Sequence, residues 1–217
     1  MNSMANYLAK DLQVNTNTKI ISIERQKKWI LTDDAGQLYP DFDWVILTVP
    51  SHQALNLLPK TFKYFKDIES IKMMPSFALM LGFKRSLLLE FEAAHVVNSD
   101  LSWIAVNSHK PGRANHFTLV AHSSNKYAQD HVDDNRLEVM RHLISVLSFV
   151  IGFNLNDADY QNIHGWRYAN ASQQHNKSVF LDNSLKLAAC GDWCLGGRIE
   201  ESYTSAQNLV NALKASF

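Results

Sequence analysis

Hydrophobic positions along the chain change their spacing several times, and each change predicts a different kind of element. Met4, Tyr7, Leu8 and Leu12 recur at three- to four-residue intervals, which predicts a short helix over residues 2–11. Ile20, Ile21 and Ile23 predict a strand. Trp29-Ile30-Leu31-Thr32 predicts another, able to pair with the first or, across the turn Asp33-Asp34-Ala35-Gly36, with Gln37-Leu38-Tyr39. Val45 to Val49 is an unbroken apolar run, the mark of a strand buried on both faces, and Pro50 stops it. Ser51 is then placed to cap a helix through Ala54, Leu55 and Leu58 that Pro59 ends.

The middle of the chain reads differently. Met74 to Phe83, Leu101 to Val106 and Phe117 to Ala121 predict strands, with Pro111-Gly112 as the turn between the last two. Asp133-Asp134-Asn135 opens a long helix whose apolar stripe is Leu137, Met140, Leu143, Ile144, Leu147 and Val150, with Gly152 near its end. Strands followed by a covering helix predict an α+β layer, and a wide sheet in that position suits the floor of a ligand cavity. Near the C-terminus, Leu187 to Cys190 is again continuously apolar, and Ile199 to Leu213 is amphipathic. Between them Gly191 and Gly196-Gly197 predict a strand-turn-helix whose missing Cβ atoms and free helical N–H groups favour an anionic or electron-rich ligand.

Composition narrows the classes. The 46% hydrophobic content of 217 residues supports one substantial core or two small ones. Formal charge is +0 with no long basic run, so neither nucleic acid nor an anionic membrane is expected as a partner, and no stretch approaches the ~18 apolar residues of a membrane span. A cytoplasmic location is the default expectation. Cys190 and Cys194 are the only cysteines; their C-x3-C spacing is a poor metal site, and they read as small buried residues in preference to a redox pair. No metal is expected.

Gly191-Asp192-Trp193-Cys194 followed by Gly196-Gly197-Arg198-Ile199-Glu200 resembles the C-terminal flavin motif of the FAD-dependent amine oxidoreductases, in particular the bacterial renalase-like branch. Three further segments resemble that family in the same order. Met1 to Leu12 with Thr18 to Glu24 is similar to its helix and "T-R-V-x-x-I-E" strand. Asp43 to Pro50, continued by Gln53-Ala54-Leu55, is similar to "A-D-x-V-V-x-A-x-P". Ile163 to Ala169 is similar to "H-R-W-R-Y-A", with Gly165 in place of the first Arg. The family also holds the ADP half of FAD with a G-x-G-x-x-G turn after a first strand, and no spacing among Gly36, Gly82, Gly112, Gly152, Gly165, Gly191, Gly196 and Gly197 makes that fingerprint.

The resemblance implies a partial FAD/NAD(P)-binding domain, an α/β remnant made of residues 1–58 and 185–217. Residues 59–184 form an inserted α+β substrate-side domain, with a mixed or antiparallel sheet covered by helices. It implies FAD contacts at Ile20, Pro50, Trp166, Gly191, Asp192, Gly196, Gly197, Ile199 and Glu200, with Asp192 accepting from the ribityl chain and the Ile199 helix pointing its positive end at the flavin. The implied reaction is hydride transfer from a small amine or reduced nicotinamide-type substrate to FAD. Lacking the ADP grip, the chain is expected to be truncated or split, to hold FAD weakly if at all, and to be inactive by itself. The rival expectation is a non-catalytic fragment that forms a homodimer through the surface left uncovered.

The catalytic residues are unknown at this level, and the candidates are His164, Trp166 and Tyr168, which strict alternation puts on one face of a strand. They read either as the lining of a flavin–substrate cavity or as an aromatic core face with one satisfied histidine. Arg167 is expected to pair with a carboxylate. His109, His116 and His122 read as surface residues, and Ser51-His52 and Ser123-Ser124 as polar turns without a nucleophile's partners.

Overall fold

A computed structural model describes residues 2–113, 116–171 and 177–215; Met1, where the first family-like segment starts, lies outside the described residues. The predicted N-terminal helix is α1, Asn2–Leu8, and its apolar positions Met4, Tyr7 and Leu8 face solvent. Strands β1 (Ile20–Arg25), β2 (Trp29–Asp33) and β3 (Leu38–Phe42) form an antiparallel meander, so β2 pairs with both of the partners the sequence left open. Asp33 shapes the second turn: its carboxylate accepts the N–H groups of Ala35 and Gln37 and the Tyr39 hydroxyl.

Strand β4 (Val45–Leu47) leads into α2 (Ser51–Leu57) and α3 (Phe65–Glu69). The expected Ser51 cap is corrected here. Pro50 holds the cap position with φ −50° and ψ 148°, because its ring already sets the φ a helix entrance needs, and Ser51 becomes the first helical residue. The Ser51 hydroxyl is fully buried and makes no hydrogen bond among the described residues.

The long strand β5 (Met73–Phe83) is followed by β6 (Ala93–His95), β7 (Leu101–Val106) and β8 (Phe117–Ser123). Helices α4 (Asn125–His131) and α5 (Arg136–Ile151) come next, then β9 (Tyr160–Ala171). The five strands make one antiparallel sheet in the order β6-β7-β8-β5-β9. Ser124 and Asn135 cap the two helices through bonds to Tyr127 and Leu137 N–H, and Gly152 ends α5 at φ +73°.

One face of this sheet is the main core: Phe77, Leu79 and Leu81 of β5 with Ile104, Leu119 and Ala121 lie under Val139, Leu143, Ile144 and Leu147 of α5. The predicted α5 stripe is corrected at both ends, since Leu137 and Val150 are exposed and Val139 is buried instead. A helix crossing a twisted sheet meets it along its middle turns, and its end residues overhang.

The second core joins the two ends of the chain. Strand β11 (Leu187–Ala189) pairs in parallel with β4, Val45 opposite Leu187 and Leu47 opposite Ala189, and β10 (Phe180–Asp182) pairs antiparallel on its other side. Trp29, Phe62, Ile68, Ile71, Phe180 and Leu187 fill the space around them. The Trp29 indole donates to the carbonyls of Leu185 and Lys186, which ties the meander to the β10–β11 turn. Helix α6 (Ile199–Lys214) buries Leu209 against Ala188 and Cys190.

The outer edge of β4 carries no strand among the described residues. Beside it runs a groove of about 650 Å³ lined by Ile20, Ile21, Ile46, Val49, Gln53 and Leu57, with Ile21 50% and Ile46 44% exposed. No helix among the described residues is long and apolar enough to cross a membrane.

Asp182 fixes the turn between β10 and β11. Its carboxylate accepts the Ser184 hydroxyl at 2.6 Å, the N–H groups of Ser184 and Leu185, and, from outside the turn, the N–H of Lys63. Burial alone would raise this carboxyl, but the hydrogen bonds from Ser184, Leu185 and Lys63 outweigh it and hold it below its ordinary 3.8. Asp182→Ala is expected to cost about 1–3 kcal/mol in urea unfolding at neutral pH. A depressed carboxyl contributes fully above its unfolded value and loses that contribution as pH falls through the lower folded value. The gap between parent and variant should therefore persist at pH 5 and close only below about 4, and a gap already closed at pH 5 would reject this account.

Candidate functional site

The turn after β11 is built around one indole. The amide of Cys190 still pairs with Leu47, then Gly191 leads into a 3-10 turn, Asp192–Cys194. The Asp192 carbonyl accepts the N–H groups of Leu195, Gly196 and Gly197, which folds this segment into a tight knuckle. Trp193 is fully buried, stacked on Phe180 with centroids 5.8 Å apart, and its Nε1–H donates to the Val49 carbonyl at 3.1 Å.

A Cβ on Gly191 would lie 2.6 Å from Trp193 Nε1. The bare position at Gly191 therefore admits the protein's own indole, a steric reason the sequence did not show. Gly197 is required by its backbone, at φ +105°, and its bare side meets Asn170 of β9. The Gly191 N–H is taken by Ser205 Oγ, which itself donates to the Ser178 carbonyl, so α6 is clamped to the strand end.

What remains free at this turn is polar and points to a ligand. The Asp192 carboxylate is half-buried and accepts no hydrogen bond among the described residues. At the α6 entrance the Arg198 N–H is taken by the Glu201 carboxylate at 2.6 Å, while the N–H groups of Ile199 and Glu200 stand in the first turn, where no intrahelical acceptor exists. Pro50 and the unpartnered Ser51 hydroxyl lie at the same end of the parallel pair β4–β11. Ile20 lines the separate groove beside β4. Burial pushes both cysteine thiols up, Cys194 to about 12, which suits buried structural residues and suppresses thiolate chemistry.

The second part of the site is the open face of the five-stranded sheet. Register places His95 opposite Trp103, Trp103 opposite His122, His122 opposite Ala78, and Ala78 opposite His164, so one row crosses all five strands. Directly paired residues share a face, and this one is opposite Phe77 and Leu79. His95 packs edge-on against Trp103 at 4.8 Å and His164 against Trp166 at 4.3 Å. The surrounding protein and the Lys110 ammonium push the His122 imidazole below its ordinary value, so it is neutral at pH 7.

His164 and Trp166 therefore share a face, as alternation predicts. Ser76 pairs with Trp166 and Met74 with Asn170, so β9 carries two extra residues between them, a bulge that contains Tyr168. Within it, Tyr168 stacks on His52 of α2 at 5.3 Å. Arg167 forms the expected ion pair, with Asp133. His95, Trp103, His122 and His52 were not identified from sequence as site residues. Period-two spacing could have put His122 on the face of β8 that bears Thr118 and Val120, but the row exists only through strand pairing. Strand β9 joins the two parts, since Asn170 touches Gly197 while Trp166 and His164 lie one bulge away.

Residues 1–213 match the model of the flavin containing amine oxidoreductase family. Among solved structures, a candidate protoporphyrinogen oxidase from Exiguobacterium sp. 255-15 matches 100% of this chain and 51% of its own, with TM-score 0.76 and 15% identity. Putrescine oxidase bound to putrescine matches 74% of this chain and 37% of its own, with TM-score 0.52 and 13% identity. Reduced UDP-galactopyranose mutase matches 74% and 36%, with TM-score 0.52 and 16% identity. The chain thus spans about half the length of the first of these structures and less of the others, and at such identities the likeness is one of fold. With the family match running through the turn at Gly191–Gly197 and on into α6, the chain belongs to the flavin containing amine oxidoreductases.

Proposed function

We propose that this chain supplies the ribityl-side turn and the substrate-side sheet of an FAD-dependent oxidoreductase of the renalase-like branch, acting on a small amine or a reduced nicotinamide-type substrate. The observation that carries this reading is the juxtaposition of an Asp192 carboxylate and first-turn α6 amides, neither with a partner among the described residues, at the C-terminal end of parallel strands. Open α/β sheets bind their ligands at that end. The donor set fits a flavin: a carboxylate accepts ribityl hydroxyls, helical N–H groups face the electron-rich pyrimidine edge, and the orphan Ser51 hydroxyl can donate or accept. In this reading Asp192, Ile199, Glu200, Gly196, Gly197 and Pro50 hold the ribityl end, Ile20 lies toward the adenine, and Trp166 borders the ring.

FAD, when bound, supplies the hydride acceptor. The chain's own residues orient the substrate and exclude water. The exposed Trp166 face offers a flat apolar surface against which a small amine or a dihydropyridine ring rests. His164, in contact with that indole, accepts a proton at a ring nitrogen, and the neutral His122 is a second acceptor in the same row. These 217 residues contain no glycine fingerprint, so binding by this chain on its own is concentrated at the ribityl end. FMN and FAD are then expected to quench with affinities within about threefold, or about 0.7 kcal/mol, when titrated into the purified chain. Asp192→Ala should weaken both. FAD binding a hundredfold more tightly than FMN would show a grip on the ADP half and reject this division of labour, and binding of neither would reject the flavin reading of this chain.

A second reading rests on the exposed Ile21 and Ile46 beside the unpaired edge of β4 and on the solvent-facing stripe of α1. Exposed parallel strands bury themselves against a partner. Here the partner is a second copy, and the result is a homodimer without cofactor. In sedimentation velocity, Ile46→Lys should shift such a dimer to monomer with an unchanged circular dichroism spectrum; a parent chain monomeric at every concentration would dismiss it.

A further inference from the structure

The large antiparallel sheet ends in two unlike edges. On one side β6 is only three residues long, and such brevity blunts an exposed edge. On the other, β9 runs for 12 residues and pairs with β5 alone, and no strand among the described residues lies beyond it. Residues 160–166 carry none of the usual guards: they include no Lys, Arg, Asp, Glu or Pro, and the bulge of β9 begins only after Trp166. Their largest side chains are exposed instead, Tyr160 at 54% and Trp166 at 57%. The Ile163 N–H is taken by Oδ1 of the neighbouring Asn162 at 2.7 Å, a side chain standing where the carbonyl of another strand would be. Alternation then turns the N–H and C=O groups of Gln161, Ile163 and Gly165 outward, away from β5.

An edge of this kind accepts an extended strand, and the order of residues in β9 selects which one. Laid antiparallel on a second copy of itself about a twofold axis at Ile163, β9 is self-complementary. Ile163 meets its own copy on the core side of the sheet, where it already packs against the main core. On the open side Asn162 faces His164 and Tyr160 faces Trp166, at the pairs without ladder hydrogen bonds, where cross-strand side chains come closest. An amide thus meets an imidazole and a phenol meets an indole. Just outside them Asp159 faces Arg167, so opposite charges are opposed; both now sit in exposed ion pairs within the chain, with Lys84 and Asp133. Moving the axis to Asn162 sets Trp166 against Ala158, and moving it to His164 runs Tyr160 into the bulge. The register about Ile163 is the one that pairs both exposed rings.

We propose that this chain self-associates through the outer edge of β9, as an antiparallel twofold pair centred on Ile163 in which the Tyr160 of each copy stands against the Trp166 of the other. The open face that carries His164 and Trp166 is then walled on one side by a residue of the second copy. Sedimentation velocity of the whole chain without flavin tests it, so the outcome does not depend on the flavin reading. The expected result is a monomer–dimer equilibrium that Asn162→Lys, which sets an ammonium on the exposed edge beside the second copy's His164, weakens about tenfold or more. Ile46→Lys, at the separate edge of β4, should leave that equilibrium unchanged. Register has its own readout: Asn162→Cys with His164→Cys should give a disulfide-linked dimer on mild oxidation, since the two positions face each other at a close pair and Cys190 and Cys194 are buried. A chain monomeric at every concentration would overturn the proposal. So would a dimer that survives Asn162→Lys and dissociates with Ile46→Lys, or one in which the cysteine pair fails to link. Circular dichroism checks the fold of the lysine variant, and the cysteine pair decides the matter if that variant is unstable.

Discussion

The glycine turn of the candidate site hangs from a parallel pairing only three residues long on each strand. Strands β4 and β11 come from opposite ends of the chain, and the bond that locks them, Trp193 Nε1 to the Val49 carbonyl, closes a sequence separation of 144 residues. Loop-closure entropy grows only logarithmically with length, so the separation itself is tolerable. A pair this short must still be held by what surrounds it. Phe180 stacked on Trp193 and the Ser205 clamp from α6 support the strand end from which Asp192 projects, while Trp29, bonded to the β10–β11 turn, holds the opposite end of β11. The position of the free carboxylate is therefore a consequence of core packing, not of the loop.

That dependence explains which parts were legible in the sequence. Strands β4 and β11, the glycine turn and α6 announce themselves through continuous apolar runs and a helical period, although only β11 is buried throughout and Ile46 of β4 is exposed. The reason for Gly191 was not legible, since the indole that occupies its space is brought there by a bond to a distant strand. Strand β6 is too short for a period to register, and α4 had no apolar stripe strong enough to be read. The His95–Trp103–His122–His164 row is a property of register across five strands. The bulge between Trp166 and Asn170, which contains Tyr168 and its contact with His52, is likewise set by pairing with β5. Local rules fail where non-local pairing decides.

The two faces of the large sheet are chemically separate, and the separation follows from period two. Odd positions of β5 carry Phe77, Leu79 and Leu81 into the core, while even positions leave Ser76, Ala78 and Met80 on the open face. Small side chains there keep the His164–Trp166 pair uncovered: Ala78, opposite both His122 and His164, is the low point of the row. A larger residue at 78 would fill the floor on which a flat substrate has to lie.

The single departure from the family-like β9 motif, Gly165, is accounted for on the other face. A Cβ at Gly165 would lie 3.0 Å from the Arg136 guanidinium and 3.1 Å from the Phe77 ring. Arg136 lies over Phe77 with its guanidinium carbon 5.0 Å from the ring centroid, and it donates to the Val132 carbonyl. Where the motif resembled here carries an arginine on the strand, this chain brings one from the first turn of α5, and the strand gives up its side chain to admit it. The contact of the Arg136 guanidinium with the Phe77 ring is worth about 0.5–2 kcal/mol. It also lets α5 sit close enough to bury Val139 and Leu143 completely. The glycine of the motif is thus matched to an arginine brought by α5, on the face of β9 opposite His164 and Trp166.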